Sequence, residues 1–197
     1  MNRTKFCELC ELQKMDFHKG SRCGVTDALP TFTGNCPKIV LQDKFQNKLK
    51  EVNVQYTKES NFAPYAYTYF FIFVAVGLAI ILGGVYMMVY LWDHAIISTG
   101  PISVMVIGAI PLGMAFAVYN GHRTRMKINK RKKQLVDEVL KEYRITYDYT
   151  VKFGKKIHGD EEVFVDFQLQ GGNGITFPKK IKESYFLKKE AHVPLYN

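Results

Sequence analysis

An integral membrane protein, mainly α, is the fold class this sequence predicts. It reads as a two-helix transmembrane hairpin with a cytosolic four-cysteine head, juxtamembrane amphipathic helices and a small C-terminal antiparallel β region. Three observations carry that expectation: two long uncharged runs in the middle of the chain, four cysteines gathered in the first forty residues, and a change from helical to twofold periodicity after Tyr143. At 197 residues the chain holds one or two small units, which excludes a large multidomain enzyme. The mean hydropathy of −0.11 is that of an ordinary soluble protein, yet the charges are segregated. The net charge is +3 before Ala63, −1 from Ala63 to Asn120 and +7 afterwards.

The spans come first. No charged side chain occurs from Phe62 to Trp92, and Tyr69 to Leu91 is dense in Phe, Ile, Val, Leu and Met. Such a run exceeds the ~20 residues needed to cross the hydrocarbon core. After Asp93 and His94 a second uncharged run reaches Tyr119, interrupted by Gly108, Pro111 and Gly113. Pro111 frees a carbonyl one turn earlier, so a bend near Ile107 to Ile110 is expected. The short connection from Asp93 to Gly100 requires an antiparallel hairpin. Ala79 with Gly83, and Gly113 with Ala117, are the small-residue pairs expected at the contact between the spans. Tyr65, Tyr67, Tyr69, Tyr90 and Trp92 mark the two ends of the first span at headgroup depth.

Orientation follows from Arg123, Arg125, Lys127, Lys130, Arg131, Lys132 and Lys133, seven cations just after the second span against none in the connecting loop. Positive flanks remain in the cytoplasm, so both termini are expected to be cytoplasmic in a multi-pass protein of a bacterial inner membrane. These seven residues are also the candidates for contact with anionic lipid headgroups or with a partner. No apolar stretch in the first sixty residues has the form of a cleavable signal peptide. Nucleic-acid binding is the weaker reading of the same basic run.

Cys7 and Cys10 form a C-x2-C pair, with Cys23 and Cys36 following. In a reducing compartment four clustered thiols are better suited to a metal than to disulfides, and four thiolate sulfurs suit a tetrahedral zinc ion. Gly24, Gly34 and Pro37 supply turns beside the outer cysteines. Iron is the alternative ligand, two disulfides would follow from an inverted topology, and free thiols are the simplest option. His18 could stand in for one Cys. Four sulfur ligands leave no open coordination position, so the expected zinc is structural. Phe6, Leu12, Met15, Phe17 and Val25 are the expected small core of this head.

Leu41, Phe45, Leu49, Val52 and Tyr56 recur at helical spacing, which predicts an amphipathic helix from Val40 to Glu59 broken at Ser60 to Pro64 before the span. Ile128, Leu135, Val139 and Tyr143, widened by Val136 and Leu140, predict a second stripe that packs on the first or on another subunit. Beyond Tyr143, Ile145, Tyr147, Tyr149 and Val151 alternate with polar residues, as do Val163, Val165, Phe167 and Leu169. Residues Gly154 to Asp160 are the expected hairpin loop, and Ile175 to Phe177 a short third strand limited by Pro178. From Lys179 onward the pattern is that of a strand or a short helix. A sheet this small is expected to lean on the helices or on a partner. The expected organisation is head 1–39, amphipathic helix 40–60, spans 65–92 and 100–120, basic helix 121–144 and β tail 145–197.

No nucleophile with its base, no H-E-x-x-H helix and no P-loop is present; the Gly171 to Gly174 stretch lacks the lysine and helix that hold phosphate. The five histidines have no ligand spacing. A non-enzymatic accessory, scaffold or sensor protein is therefore expected, anchored in the bilayer, binding another protein or a second copy of itself, and taking no small-molecule substrate. An oligomerising, membrane-perturbing effector gated by a cytosolic ligand is the first alternative, and an iron-dependent redox protein the second.

Overall fold

The computed structural model describes residues 4–16, 20–29, 32, 36, 38–91, 99–157, 160–171 and 180–187. It is mostly helical, with two helices long and apolar enough to cross a membrane and a small antiparallel sheet. In chain order the elements are α1 (Thr4–Leu9), β1 (Gln13–Asp16), β2 (Gly20–Cys23), α2 (Asp43–Tyr86) with a π-helical turn at Met87–Leu91, α3 (Thr99–Glu142), and the strands β3 (Ile145–Ile157), β4 (Asp160–Gly171) and β5 (Lys180–Leu187). The chain divides into a first unit, residues 1–57 with 130–197, and a second unit, residues 58–129.

The first unit has one core. Phe6 and Leu9 of α1, Leu41, Phe45, Leu49, Val52 and Val54 at the start of α2, Val136, Val139 and Leu140 near the end of α3, and Ile145, Val163, Val165, Phe167 and Leu169 of the sheet all belong to it. The head thus contributes Phe6 and Leu9 to a shared core rather than building its own. Leu12, Met15 and Val25 are exposed, Met15 at 77%, because a hairpin of two four-residue strands cannot cover them; Phe17 lies outside the described residues. Near the end of α3 the buried apolar residues are Val136, Val139 and Leu140, whereas Ile128 and Leu135 are exposed.

Polar contacts close the same unit. The Glu11 carboxylate accepts the Lys44 N–H at 3.0 Å, so a head residue caps the start of α2 where unpaired N–H groups favour an anion. Lys50, 6% exposed, donates to Glu183 of β5 at 2.6 Å. Strand β3 pairs with β4 and β4 with β5, both antiparallel. The β3 to β4 register shifts between Phe153 and Lys156, so Gly154, expected in the loop, lies at an irregularity within a longer strand. The segment from Lys180 is a strand; Ile175 to Phe177 lies outside the described residues.

Pro64 sits inside α2, which corrects the expected break at Ser60 to Pro64. Proline removes one helical hydrogen bond, freeing the carbonyl of Ser60, and Ser60 is an exposed residue. Pro111 likewise lies within the unbroken α3. In the second unit, Gly77 and Gly108 are the close contact between helices. A Cβ on Gly77 would stand 3.0 Å from the Gly108 carbonyl oxygen, and one on Gly108 would stand 3.1 Å from that of Gly77. Gly83 and Gly113 meet nothing within 4 Å, and Ala79 and Ala117 are exposed, so the expected pairs point away from the contact. Small residues at i and i+4 occur on every face of a Gly-rich helix, and spacing alone cannot choose among them. The connection after the first span, with Asp93 and His94, lies outside the described residues.

Candidate functional site

All four cysteines line one cavity of about 240 Å³, together with Phe6, Leu12, Arg22 and Lys38. The elements that bring them there are short. Cys7 lies in α1 and Cys10 just after it, with the Cys10 N–H donating to the Cys7 carbonyl at 3.1 Å. The hairpin of β1 and β2 then returns the chain, pairing Cys23 with Gln13. Beyond Cys23 the backbone turns tightly: the Asp27 N–H donates to the Cys23 carbonyl at 2.7 Å, and Gly24 donates to Leu12 at 2.8 Å. A side chain at Gly24 would collide with that Leu12 carbonyl oxygen, which explains glycine directly after the cysteine.

The four sulfurs differ in environment. Cys7 and Cys10 are buried, Cys23 and Cys36 are partly exposed, and all four are free thiols. Burial pushes the Cys7 thiol up, and the other three cysteines add to the effect because their charges are felt at its sulfur. Cys23 is held below the usual thiol range by the N–H groups of Val25 and Thr26, which donate to it. Burial raises Cys36, opposed by the Lys38 N–H. Backbone donors two and three residues after a cysteine stabilise thiolate, the form that binds metal. Among the described residues, no three His, Cys, Asp or Glu side chains form a group placed to hold a metal ion. His18, Gly34 and Pro37 lie outside the described residues.

The chain matches no protein family, no curated protein and no solved structure.

Of the seven basic residues after the second span, Arg123, Arg125, Lys127, Lys130, Arg131 and Lys132 are exposed. Lys133 is not. Its ammonium donates to the Tyr147 hydroxyl at 2.6 Å, pairs with Asp137 at 3.3 Å and lies 5.1 Å from the ring centres of Tyr147 and Tyr149. Arg125 pairs with Glu59 at 3.2 Å. His122, only 4% exposed, faces the same carboxylate at 3.5 Å, among the rings of Phe62 and Tyr67. These three residues of the second unit form a polar cluster that sequence spacing did not reveal, because Glu59 and His122 are 63 positions apart.

Sequence reasoning also missed Tyr143. Its hydroxyl donates to the Cys36 carbonyl and accepts from the Cys36 N–H, each at 2.9 Å. Its ring meets Phe6 edge-on with centroids 6.2 Å apart, and burial pushes the phenol up to about 12. A tyrosine at the end of a helical stripe gives no sign that it will reach a residue 107 positions away.

Proposed function

We propose that this is a two-pass membrane protein of a bacterial inner membrane, with both termini cytoplasmic, which serves as an accessory, scaffold or sensor by presenting its first unit to a partner protein. The observation that carries this reading is the shared core of that unit, in which head, helix segments and sheet become one folded body. The helices support the anchor: only 11% of the most apolar window of each is buried, whereas the core helix of a soluble protein would be mostly covered. An even number of crossings returns both ends of the chain to the side that the basic flank selects. Arg123, Lys127, Lys130, Arg131 and Lys132 are exposed cations suited to anionic headgroups, whereas the exposed Arg125 is paired with Glu59.

Cys7, Cys10, Cys23 and Cys36 would hold a structural zinc ion. Four sulfur donors around one cavity suit a soft d10 cation, the N–H groups directed at Cys23 and Cys36 favour thiolate, and ligation needs the sulfurs to turn inward from the cavity wall. The protein is read as non-catalytic, since a closed tetrathiolate site activates no water.

Affinity capture of the full chain in mild detergent tests the role. A stoichiometric partner that is lost when Cys7 and Cys10 are changed to Ser supports it; an unchanged yield in that variant refutes a metal-dependent binding surface. One observation favours a second reading, an oligomerising membrane-perturbing effector: Gly83 and Gly113 face outward, where small residues suit packing against another copy. Dye release from liposomes on adding protein would support the effector, and its absence at every protein concentration removes it. Visible absorbance of the purified protein decides between zinc and iron.

A further inference from the structure

Tyr143 is one of the points at which the cysteine cavity meets the rest of the first unit. It follows the last residue of α3, and its N–H donates to the Leu140 carbonyl at 3.1 Å. The next residue, Arg144, takes a left-handed backbone with φ 55°, and Ile145 then opens β3 by pairing with Gly171, itself at φ 88°. Helix end, chain reversal and sheet start therefore fall within three residues. A non-glycine residue in the left-handed region is held there at some cost, so this junction depends on whatever fixes its neighbours.

The phenol has two attachments to the cavity, on different parts of its wall. The hydroxyl takes both backbone groups of Cys36, donor and acceptor, which restrains the backbone on both sides of the Cα from which the sulfur projects. The ring packs edge-on against Phe6, the residue preceding Cys7, and Phe6 in turn packs edge-on against Phe32 at 5.6 Å. Phe6, Cys7, Phe32 and Cys36 all line the cavity. Cys36 belongs to no helix or strand, and the tyrosine hydroxyl restrains both of its backbone groups. The charges of Cys36, Cys10 and Cys7 are all felt at the phenol oxygen.

We propose that Tyr143 couples occupancy of the four-cysteine site to the α3–β3 junction. Binding of a thiolate-seeking divalent cation fixes Cys36, Cys36 fixes the phenol, and the junction stiffens; removing the cation releases it. This inference rests on the reading of the cavity as a tetrathiolate metal site, and it gives the sensor role a physical route from ligand to fold. Tyr143 is a positioning residue here, because it touches the backbone of a ligand rather than the metal. Groups that orient a metal ligand typically change metal affinity 10–100-fold when removed.

The test uses the full chain in detergent with Co(II) and Zn(II) as probes. The wild type is expected to bind one Co(II) with the absorption of a tetrahedral tetrathiolate. Tyr143→Phe keeps the ring on Phe6 but loses both bonds to Cys36, and should release Zn(II) to a chelator about 10-fold faster. Tyr185→Phe, at a half-buried phenol of β5 whose charged neighbours are Glu183 and Glu51, should release it at the wild-type rate. Amide exchange on the wild type needs no variant: chelation should raise exchange across residues 140–147, and in Tyr143→Phe chelation should add little. Wild type that binds Co(II) through four thiolates, with no change at 140–147 on chelation or with equal release from Tyr143→Phe, overturns the coupling while leaving the metal site intact. Wild type that binds neither Co(II) nor Zn(II) overturns the site itself.

Discussion

Truncating Phe6 to Ala tests whether head and sheet fold together. The side chain is 2% exposed and meets two rings edge-on, Phe32 at 5.6 Å and Tyr143 at 6.2 Å, both at 80°. Phe to Ala in a core costs roughly 3–5 kcal/mol, and edge-to-face pairs contribute about 0.5–1.5 kcal/mol each beyond area, so a loss of about 4 kcal/mol is expected. Against a total stability of roughly 5–15 kcal/mol this is a large fraction, and it lowers the unfolding midpoint of a unit of this size by about 15 °C. The readout is amide exchange across the paired strands at Tyr147 to Val151 and Val165 to Leu169, so the signal arises away from the mutated site. Leu29→Ala, at a side chain 59% exposed, should change the midpoint by little, within about 0.5 kcal/mol. If Phe6→Ala left exchange in the sheet as it was, the head would be an independent flap and the single shared core would be wrong.

Helix contact in the second unit predicts opposite signs for four glycines. Gly77→Ala and Gly108→Ala force a methyl towards a facing carbonyl and should destabilise by about 1–3 kcal/mol, whereas Gly83→Ala and Gly113→Ala, in open space, should stabilise their helices by up to about 1 kcal/mol; thermal unfolding in detergent ranks them. Alkaline pH should unfold the first unit. Burial raises Tyr147 and Tyr185, and Lys133 is also raised, because its burial, which lowers it, is outweighed by the bond to Tyr147 together with the charges of Tyr147, Asp137 and Tyr149. All three therefore contribute stability that is fully present below their unfolded values near 10 and lost as pH rises through the folded ones. A pH titration of the unfolding midpoint showing no decline above pH 10 would contradict this. In metal-free protein near neutral pH, Cys23 should be alkylated by iodoacetamide before Cys7, because N–H donors favour its thiolate while burial disfavours that of Cys7; mass spectrometry of peptides after short exposure gives the order.

The parts of this fold legible in the sequence are those where one physical requirement acts over a long stretch. Absence of charge over thirty residues marks a helix made for an apolar setting, whatever its neighbours. Alternation at Val163, Val165, Phe167 and Leu169 marks a sheet face, and those four are buried in one core. What the sequence hides depends on contacts between distant residues. Leu12, Met15 and Val25 looked like a core because they are apolar and close together, but the elements around them are too short to cover them. Pro64 looked like a break because its neighbours' solvation is not written in the local pattern. Lys133 looked like its six basic neighbours, and only the folded sheet shows that two tyrosine rings and Asp137 enclose it. At the candidate site, four cysteines in forty residues indicated a shared location, which the cavity shows. The role of Tyr143 was invisible because it rests on one hydrogen-bonded pair across 107 positions.

The four-cysteine cavity is most directly tested by X-ray absorption at the zinc edge of the full chain purified without added metal. One zinc ion per chain with four sulfur neighbours at ~2.3 Å is the result expected. Protein that carries no zinc, or zinc surrounded by nitrogen and oxygen, would contradict the tetrathiolate centre.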